Sequence, residues 1–437
     1  MGPTILTKHG NVIGLELDDA FFYRGIPFCK CERFGYPEPY DFLTFDATKD
    51  EVDPYQVDAF YERNHFYDKE FKTDKAKLYA ESPLTLNIIT PKTGTKLPVF
   101  VFIHGGAFDF GKAGDLPYGN TTEYAKRGII LVSINHRMNV FGFYKNMNYG
   151  LFDQEFALKW VYENIEAFGG DKDNITLGGQ SAGAMSTIDL LTTKRLEGIV
   201  KGAIVMSGGG PLPKLIGPKP HSKTDKFYEK VMKEAGCSSY EELKTVSPEI
   251  LFKAFNTLKD KGVPLYIAQP GIDGEIIKDY HWNQFRRKEE LDVPILLGVT
   301  GQDFMPYLIY NLALKWALDN DKKGKSPIYA YFFDQIPPGG DYKAFHAVDL
   351  WYAFGNMDKC WRKFTIEDVK LKDMMIDYFS NFIKNHNPNG LNLPEWNPVT
   401  RKFKGFRYLK ENSELYIFPR KARKIHLKVL LKDHGPL

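Results

Sequence analysis

What most restricts the fold of this chain is a recurring unit, a short continuous apolar run followed by a helical pattern. Leu97–Ile103 and Gly128–Ile134 are short, β-branched and closed by Gly or Asn, which predicts strands buried on both faces. From Asp153 to Phe168, the residues Phe156, Ala157, Trp160, Val161, Ile165 and Phe168 recur at helical spacing. That stripe predicts an amphipathic helix laid on a sheet. Further strands are expected at Ile175–Leu177, Ala203–Met206, Pro294–Val299 and Ile328–Phe333. Strands alternating with helices predict an α/β fold, a central and mostly parallel sheet with helices on both faces. No repeat, low-complexity tract or linker interrupts the pattern, so residues 1–437 are expected to form a single domain.

Composition removes several function classes. Hydrophobic residues at 43% and charged residues at 26% are ordinary for a globular protein and exclude a disordered or collagen-like chain. A net charge of +3 argues against a polyanionic partner such as nucleic acid. The longest clean apolar run, Leu97–Ile103, is far short of the roughly 20 residues a membrane span needs, so a soluble protein is expected. Four cysteines do not make a disulfide framework, and the N-terminus lacks the layout of a secretory signal. A cytoplasmic protein with free thiols is therefore expected, with the sequons at Asn120 and Asn174 present by chance. Residues 401–437 hold eleven Lys+Arg against three Asp+Glu. The alternation of Phe406, Tyr408, Leu415, Tyr416, Ile417 and Phe418 reads as a solvated edge strand guarded by lysines. Docking to an anionic surface is the alternative for that segment.

The chemistry centres on Gly179-Gln180-Ser181-Ala182-Gly183, set between an apolar strand and a helix. Gly-X-Ser-X-Gly in that context is a nucleophile elbow. A sharp turn forces the serine into strained backbone geometry, and glycines two positions either side avoid collisions with the strand and helix. The helix N-terminus behind the serine favours developing negative charge. Upstream, directly after a buried strand, stands His104-Gly105-Gly106-Ala107-Phe108. A tetrahedral intermediate needs backbone N–H groups aimed at its oxyanion, and glycines let the main chain approach. The two motifs, in this order, strengthen each other.

Here the chain resembles the type-B carboxylesterase/lipase family, the cholinesterase-like α/β-hydrolases, and looks most like a bacterial-type intracellular member. The likeness runs through Asn148-Tyr-Gly-Leu-Phe-Asp153-Gln154, Ala157-Leu-Lys-Trp160-Val161, Asn164-Ile165, Phe168-Gly169-Gly170-Asp171 and Asn174-Ile-Thr176 into the serine motif. Tyr23-Arg24-Gly25-Ile26-Pro27-Phe28, Arg33-Phe34, Leu297-Gly298-Val299 and the block from Phe345 to Gly355 are similar to its other signatures. The resemblance covers about Gly10 to Trp396 and implies the α/β-hydrolase fold.

The triad order in such folds is serine, then acid, then histidine. Six histidines follow Ser181, and only His346 sits in a family block, so the resemblance assigns it as general base. The acid is expected at Asp303, at the end of the strand Pro294–Val299, where the family usually has glutamate. Asp334, at the end of another strand, is the rival, and Asp273 reads as turn chemistry. The family would place the oxyanion donors at Gly106, Ala107 and Ala182. Phe108, Phe304 and Met305 are expected to border the substrate pocket. Neither a metal nor an organic cofactor is expected. The family's early disulfide is missing, and Arg33 with Glu81 is expected as a structural salt bridge.

The expected activity is that of a serine carboxylesterase acting on small-molecule esters with short to medium acyl groups. The base must be neutral, so turnover is expected to rise with pH through the ordinary histidine range. Only 43 positions separate Asp303 from His346, fewer than in cholinesterase-like relatives, which suggests a shallow, open site. The alternatives are a lipase or polysaccharide-side-chain esterase using the same chemistry, or a non-catalytic cholinesterase-like interaction protein.

Overall fold

The computed structural model describes residues 2–49, 51–56, 70–71, 78–214, 216–262 and 267–410, with the backbone of 415–416. The N-terminal part supplies β1 (Thr4–Thr7), β2 (Gly10–Ile13), β3 (Leu15–Glu16), β4 (Ala20–Pro27), β5 (Thr44–Asp46), β6 (Asp53–Pro54) and β7 (Tyr79–Ala80). There follow β8 (Thr85–Pro91), β9 (Leu97–Ile103), β10 (Ile130–Ile134), β11 (Gly170–Gln180) and β12 (Val200–Met206). The last four are β13 (Ile295–Thr300), β14 (Ile328–Phe333), β15 (Phe406–Leu409) and β16 (Leu415–Tyr416).

Eleven of these strands form one sheet in the order β16-β15-β14-β13-β12-β11-β9-β10-β8-β4-β3. From β15 to β10 all neighbours run parallel, and both flanks of the sheet are antiparallel. The chain steps from β9 outward to β10, then crosses back to lay β11 on the other side of β9. That reversal is a topological switch point, where open α/β sheets place ligands beyond the carboxyl ends of the strands. Gly179 of β11 pairs with Ile103 of β9, so the serine motif and the HGGAF turn leave the sheet side by side.

Alternation along the buried strands sorts the core into two layers. Val99, Val101 and Ile103 of β9 join Leu177, Val205 and Leu297 under Trp160 and Val161 on one face. Phe100 and Phe102 join Ile204, Leu296, Tyr331, Phe354 and Phe379 on the other.

The expected strands all form, with β11 extending well beyond Ile175–Leu177 and carrying an irregularity in its first half. The expected helix runs Tyr149–Asn164 and tightens to a 3₁₀ turn at Ile165–Phe168. It is not simply amphipathic. Asp153, Gln154 and Glu155 are buried as well, because each finds a partner inside. Gln154 donates to Ser186, and Glu155 accepts from Arg195 and Lys159. Phe406–Leu409 forms a strand but not a solvated edge, because β15 is mostly buried between β14 and β16; the edge is the short β16, while Ile417, Phe418 and the basic residues beyond lie outside the described residues. All four cysteines are unpaired, and Arg33 binds Glu81 through Nε and Nη2 at 2.8 and 2.6 Å. Among the described residues no helix is long and apolar enough to cross a membrane.

Asp153 carries a larger load than its place in a helix suggests. Arg137 follows β10 and is sealed from solvent, with Nε and Nη2 donating to Asp153 at 2.8 and 2.6 Å. The backbone N–H of Arg137 donates to the same carboxylate at 3.1 Å. Removing one partner of a buried pair leaves an uncompensated charge, at a cost of about 3–5 kcal/mol. Asp153→Asn, which changes no volume, is expected to lower stability by that order in urea unfolding, with helix content at low denaturant unchanged.

Candidate active site

Ser181 occupies the single residue between β11 and the helix Ala182–Leu191, at φ 55° and ψ −121°. A positive φ is costly for a residue with a Cβ and persists only where its surroundings enforce it. The glycines on either side show how. A Cβ on Gly179 would lie 2.3 Å from the Gly183 carbonyl, and one on Gly183 would lie 2.1 Å from the carbonyl oxygen of Ile103. Strand, turn and helix therefore touch backbone to backbone.

The HGGAF turn closes on the serine from the side of β9. A Cβ on Gly105 would stand 3.3 Å from the Ser181 Cβ, and Gly106 has φ 110°. Ala107 and Phe108 follow in left-handed conformation at φ 53° and 61°. This run of positive φ turns the main chain so that, among the described residues, nothing accepts the N–H groups of Gly106 and Ala107. The Ala182 N–H, in the first turn of its helix, is also unclaimed. Beneath the turn, His104 stacks on His136 with ring centroids 4.8 Å apart. Burial lowers both histidines, His104 to about 4, so the support of the turn carries no charge near neutrality.

The carboxylate that meets His346 is that of Asp303, with Oδ1 2.7 Å from Nδ1. Asp303 leaves the end of β13, and the backbone N–H of Gln302 donates to the Ala344 carbonyl, binding the two loops together. Asp334 accepts instead from the Tyr408 hydroxyl, and Asp273 caps its own turn through the N–H groups of Glu275 and Ile277. Burial pushes the Asp303 carboxyl upward, yet His346 and the hydrogen bond from the Thr300 hydroxyl help to outweigh it and hold it below the usual range. It is an anion in working conditions. On the helix after His346, Asp349 is sealed beside Tyr331, whose hydroxyl donates to it at 2.7 Å. Burial, with the negative charge of Asp303 nearby, raises Asp349 to about 6. Two neighbouring carboxylates are thus driven apart in proton affinity.

The other face of His346 departs from what the motifs alone suggest. Its Nε2 lies 3.2 Å from the side-chain nitrogen of Gln180, and among the described residues Ser181 Oγ makes no hydrogen bond. Gln180 sits inside the serine motif, but nothing in the pentapeptide indicates that its amide reaches the histidine. The expected pocket residues separate. Phe304 packs on His346 at 4.4 Å between ring centroids and is 48% exposed, with Met305 49% exposed beside it. Phe108 is only 3% exposed and packs against Phe143 in an apolar cluster that includes Ala182. It supports the site from beneath, because the left-handed turn at Ala107 and Phe108 carries its ring inward.

A model of the carboxylesterase family matches residues 2–315 and 305–425 of the chain. Among curated proteins, the chain is 28% identical to the para-nitrobenzyl esterase of Bacillus subtilis over 471 residues, covering 91% of this chain and 93% of that protein. It is 26% identical to carboxylesterase 4A of Bos taurus, covering 90% and 89%. Among solved structures, a PNB esterase superposes with a TM-score of 0.83 at 25% identity, over 97% of this chain and 99% of the other. A carboxylesterase of Geobacillus stearothermophilus gives 0.82 at 26%, with the same coverage.

Asp349 yields a stability prediction of definite sign. Its folded-state pKa, about 6, lies above the 3.8 of the free side chain, so the folded protein keeps this proton longer than the unfolded chain. The group costs nothing only well below pH 3.8, where it is protonated in both states, and costs most once it ionises in both, by about 3 kcal/mol. Asp349→Asn is therefore expected to melt well above the parent at pH 8, with the gain largely lost by pH 4, in paired calorimetric scans.

Proposed function

Because the chain belongs to the carboxylesterase family and is a carboxylic ester hydrolase with the α/β-hydrolase fold, we propose that it works through an acyl-enzyme on Ser181, with His346 as base and Asp303 as the acid that orients it. The observation that carries this reading is the 2.7 Å contact between His346 and Asp303, on loops beyond the same end of the sheet as the strained serine.

Asp303, being ionised, accepts a hydrogen bond from Nδ1–H and so keeps the ring proton there, leaving the Nε2 lone pair of the neutral ring free to act. Nε2 takes the proton of the Ser181 hydroxyl as Oγ adds to the ester carbonyl. The negative charge passes to the carbonyl oxygen, which the N–H groups of Gly106, Ala107 and Ala182 receive. That nothing among the described residues accepts from these donors supports the reading, since they need break no hydrogen bond as charge develops. His346 returns the proton to the leaving alcohol, then removes one from the water that releases the acid. No step calls for a metal or an organic cofactor. Phe304 and Met305 border the acyl or alcohol group, and their partial exposure supports an open site for short to medium chains.

Two further parts of the reading concern the whole protein. The uninterrupted sheet from β3 to β16 supports one domain over residues 1–437. The unpaired state of Cys29, Cys31, Cys237 and Cys360 supports a cytoplasmic location, where thiols stay reduced.

The test is hydrolysis of p-nitrophenyl esters from acetate to decanoate. Ser181→Ala is expected to abolish turnover, a fall on the order of 10⁶. Asp303→Asn is expected to lower kcat by about 10⁴, since an amide no longer selects the productive tautomer. A folded Ser181→Ala protein that retained turnover would refute the assignment.

A further inference from the structure

His346 Nε2 has one lone pair, and two hydrogen-bond donors have a claim on it. In the neutral ring Nδ1 carries the proton that Asp303 accepts, so Nε2 is an acceptor. The group in contact with it is the Gln180 amide nitrogen at 3.2 Å, a donor, while Ser181 Oγ bonds to nothing among the described residues. Gln180 is 3% exposed, and its Oε1 lies where a Cβ on Gly105 would meet it at 2.7 Å.

We propose that Gln180 is a positioning residue that holds the resting histidine by donating to Nε2, in competition with the Ser181 hydroxyl for the same lone pair. This inference rests on the reading of His346 as the base. Its chemical content is that the amide N–H stabilises the neutral imidazole and opposes the imidazolium, whose Nε2–H would point at another donor. Gln180 therefore weakens the base at rest and gives way when a substrate brings Ser181 into line. The proton traffic stays balanced, because the amide neither gains nor loses a proton.

The other groups that bear on the ring are few. Asp303 faces Nδ1, and Asp349 acts from the following helix with Tyr331 behind it. Phe304 covers the ring flank. None of these contacts is made through the Gln180 side chain.

The decisive measurement is the titration midpoint of His346 by ¹⁵N NMR of the imidazole, alongside the acidic limb of kcat/KM against pH. Gln180→Met removes the donor and keeps the bulk, and is expected to raise the midpoint by about half to one pH unit. Gln180→Glu places a carboxylate against Nε2 and is expected to raise it by more than one unit, with kcat at pH 7 falling more than KM changes. Far-ultraviolet circular dichroism and melting temperature establish that each variant is folded. An unchanged midpoint in both variants, or a downward shift in Gln180→Met, overturns the proposal, even if activity falls. Stoichiometric labelling of wild-type Ser181 by a fluorophosphonate separates the two readings. A wild-type protein left unlabelled defeats the serine mechanism, while the NMR midpoints still report on the Gln180 contact.

Discussion

The backbone contact between the serine turn and the end of β9 sets the position of everything else in the site. Gly183 rests on the carbonyl of Ile103 at a distance no Cβ could occupy, and Gly179 presses on Gly183 in the same way. Because β11 and β9 are neighbours in parallel register, the turn that follows each strand emerges at the same level of the sheet. One strand delivers the hydroxyl and the other delivers N–H groups that nothing among the described residues accepts, and the distance between them is a property of the sheet. Loops of ordinary flexibility could not hold that spacing. Packing glycines where side chains would separate the two elements gives the site the stiffness of the core.

Electrostatics then divides the labour among groups that are chemically alike. His104 and His136 are buried with no carboxylate partner among the described residues and stay neutral under the HGGAF turn. His346 instead lies against an ionised Asp303, and it is the histidine proposed to exchange a proton with Ser181. Asp303 and Asp349 are both buried, yet the first is surrounded by donors and the second by one tyrosine and the charge of the first. Burial alone would push both carboxyls up. The difference in hydrogen-bond donors holds one below the usual range and leaves the other raised to about 6, so the carboxyl aimed at the histidine is the first to ionise.

Much of the fold was legible because its signals are local. Short apolar runs such as Ile328–Phe333 matched strands, since a strand buried on both faces has no polar side to confuse the pattern. The helix at Tyr149–Asn164 was legible in place but misleading in character. Its buried polar residues look like a solvent face until Arg137, Arg195 and Ser186 are brought against them from elsewhere in the chain. Phe108 shows the same limit. Its position beside the Gly-Gly turn suggested a pocket wall, and only the left-handed backbone at Ala107 and Phe108 sends the ring into the cluster beneath.

By itself the sequence determined the alternating α/β layout, the need for glycine around Ser181, and the pairing of that turn with HGGAF. Each of these depends on residues a few positions apart, where sterics and periodicity act directly. The tertiary structure decided which carboxylate reaches His346, across 43 residues, and which side chain occupies its Nε2, across 166. Separations of that length are settled by sheet order and by the packing of loops from different strands. The competition between Gln180 and Ser181 for one lone pair exists only once the fold has brought all three together.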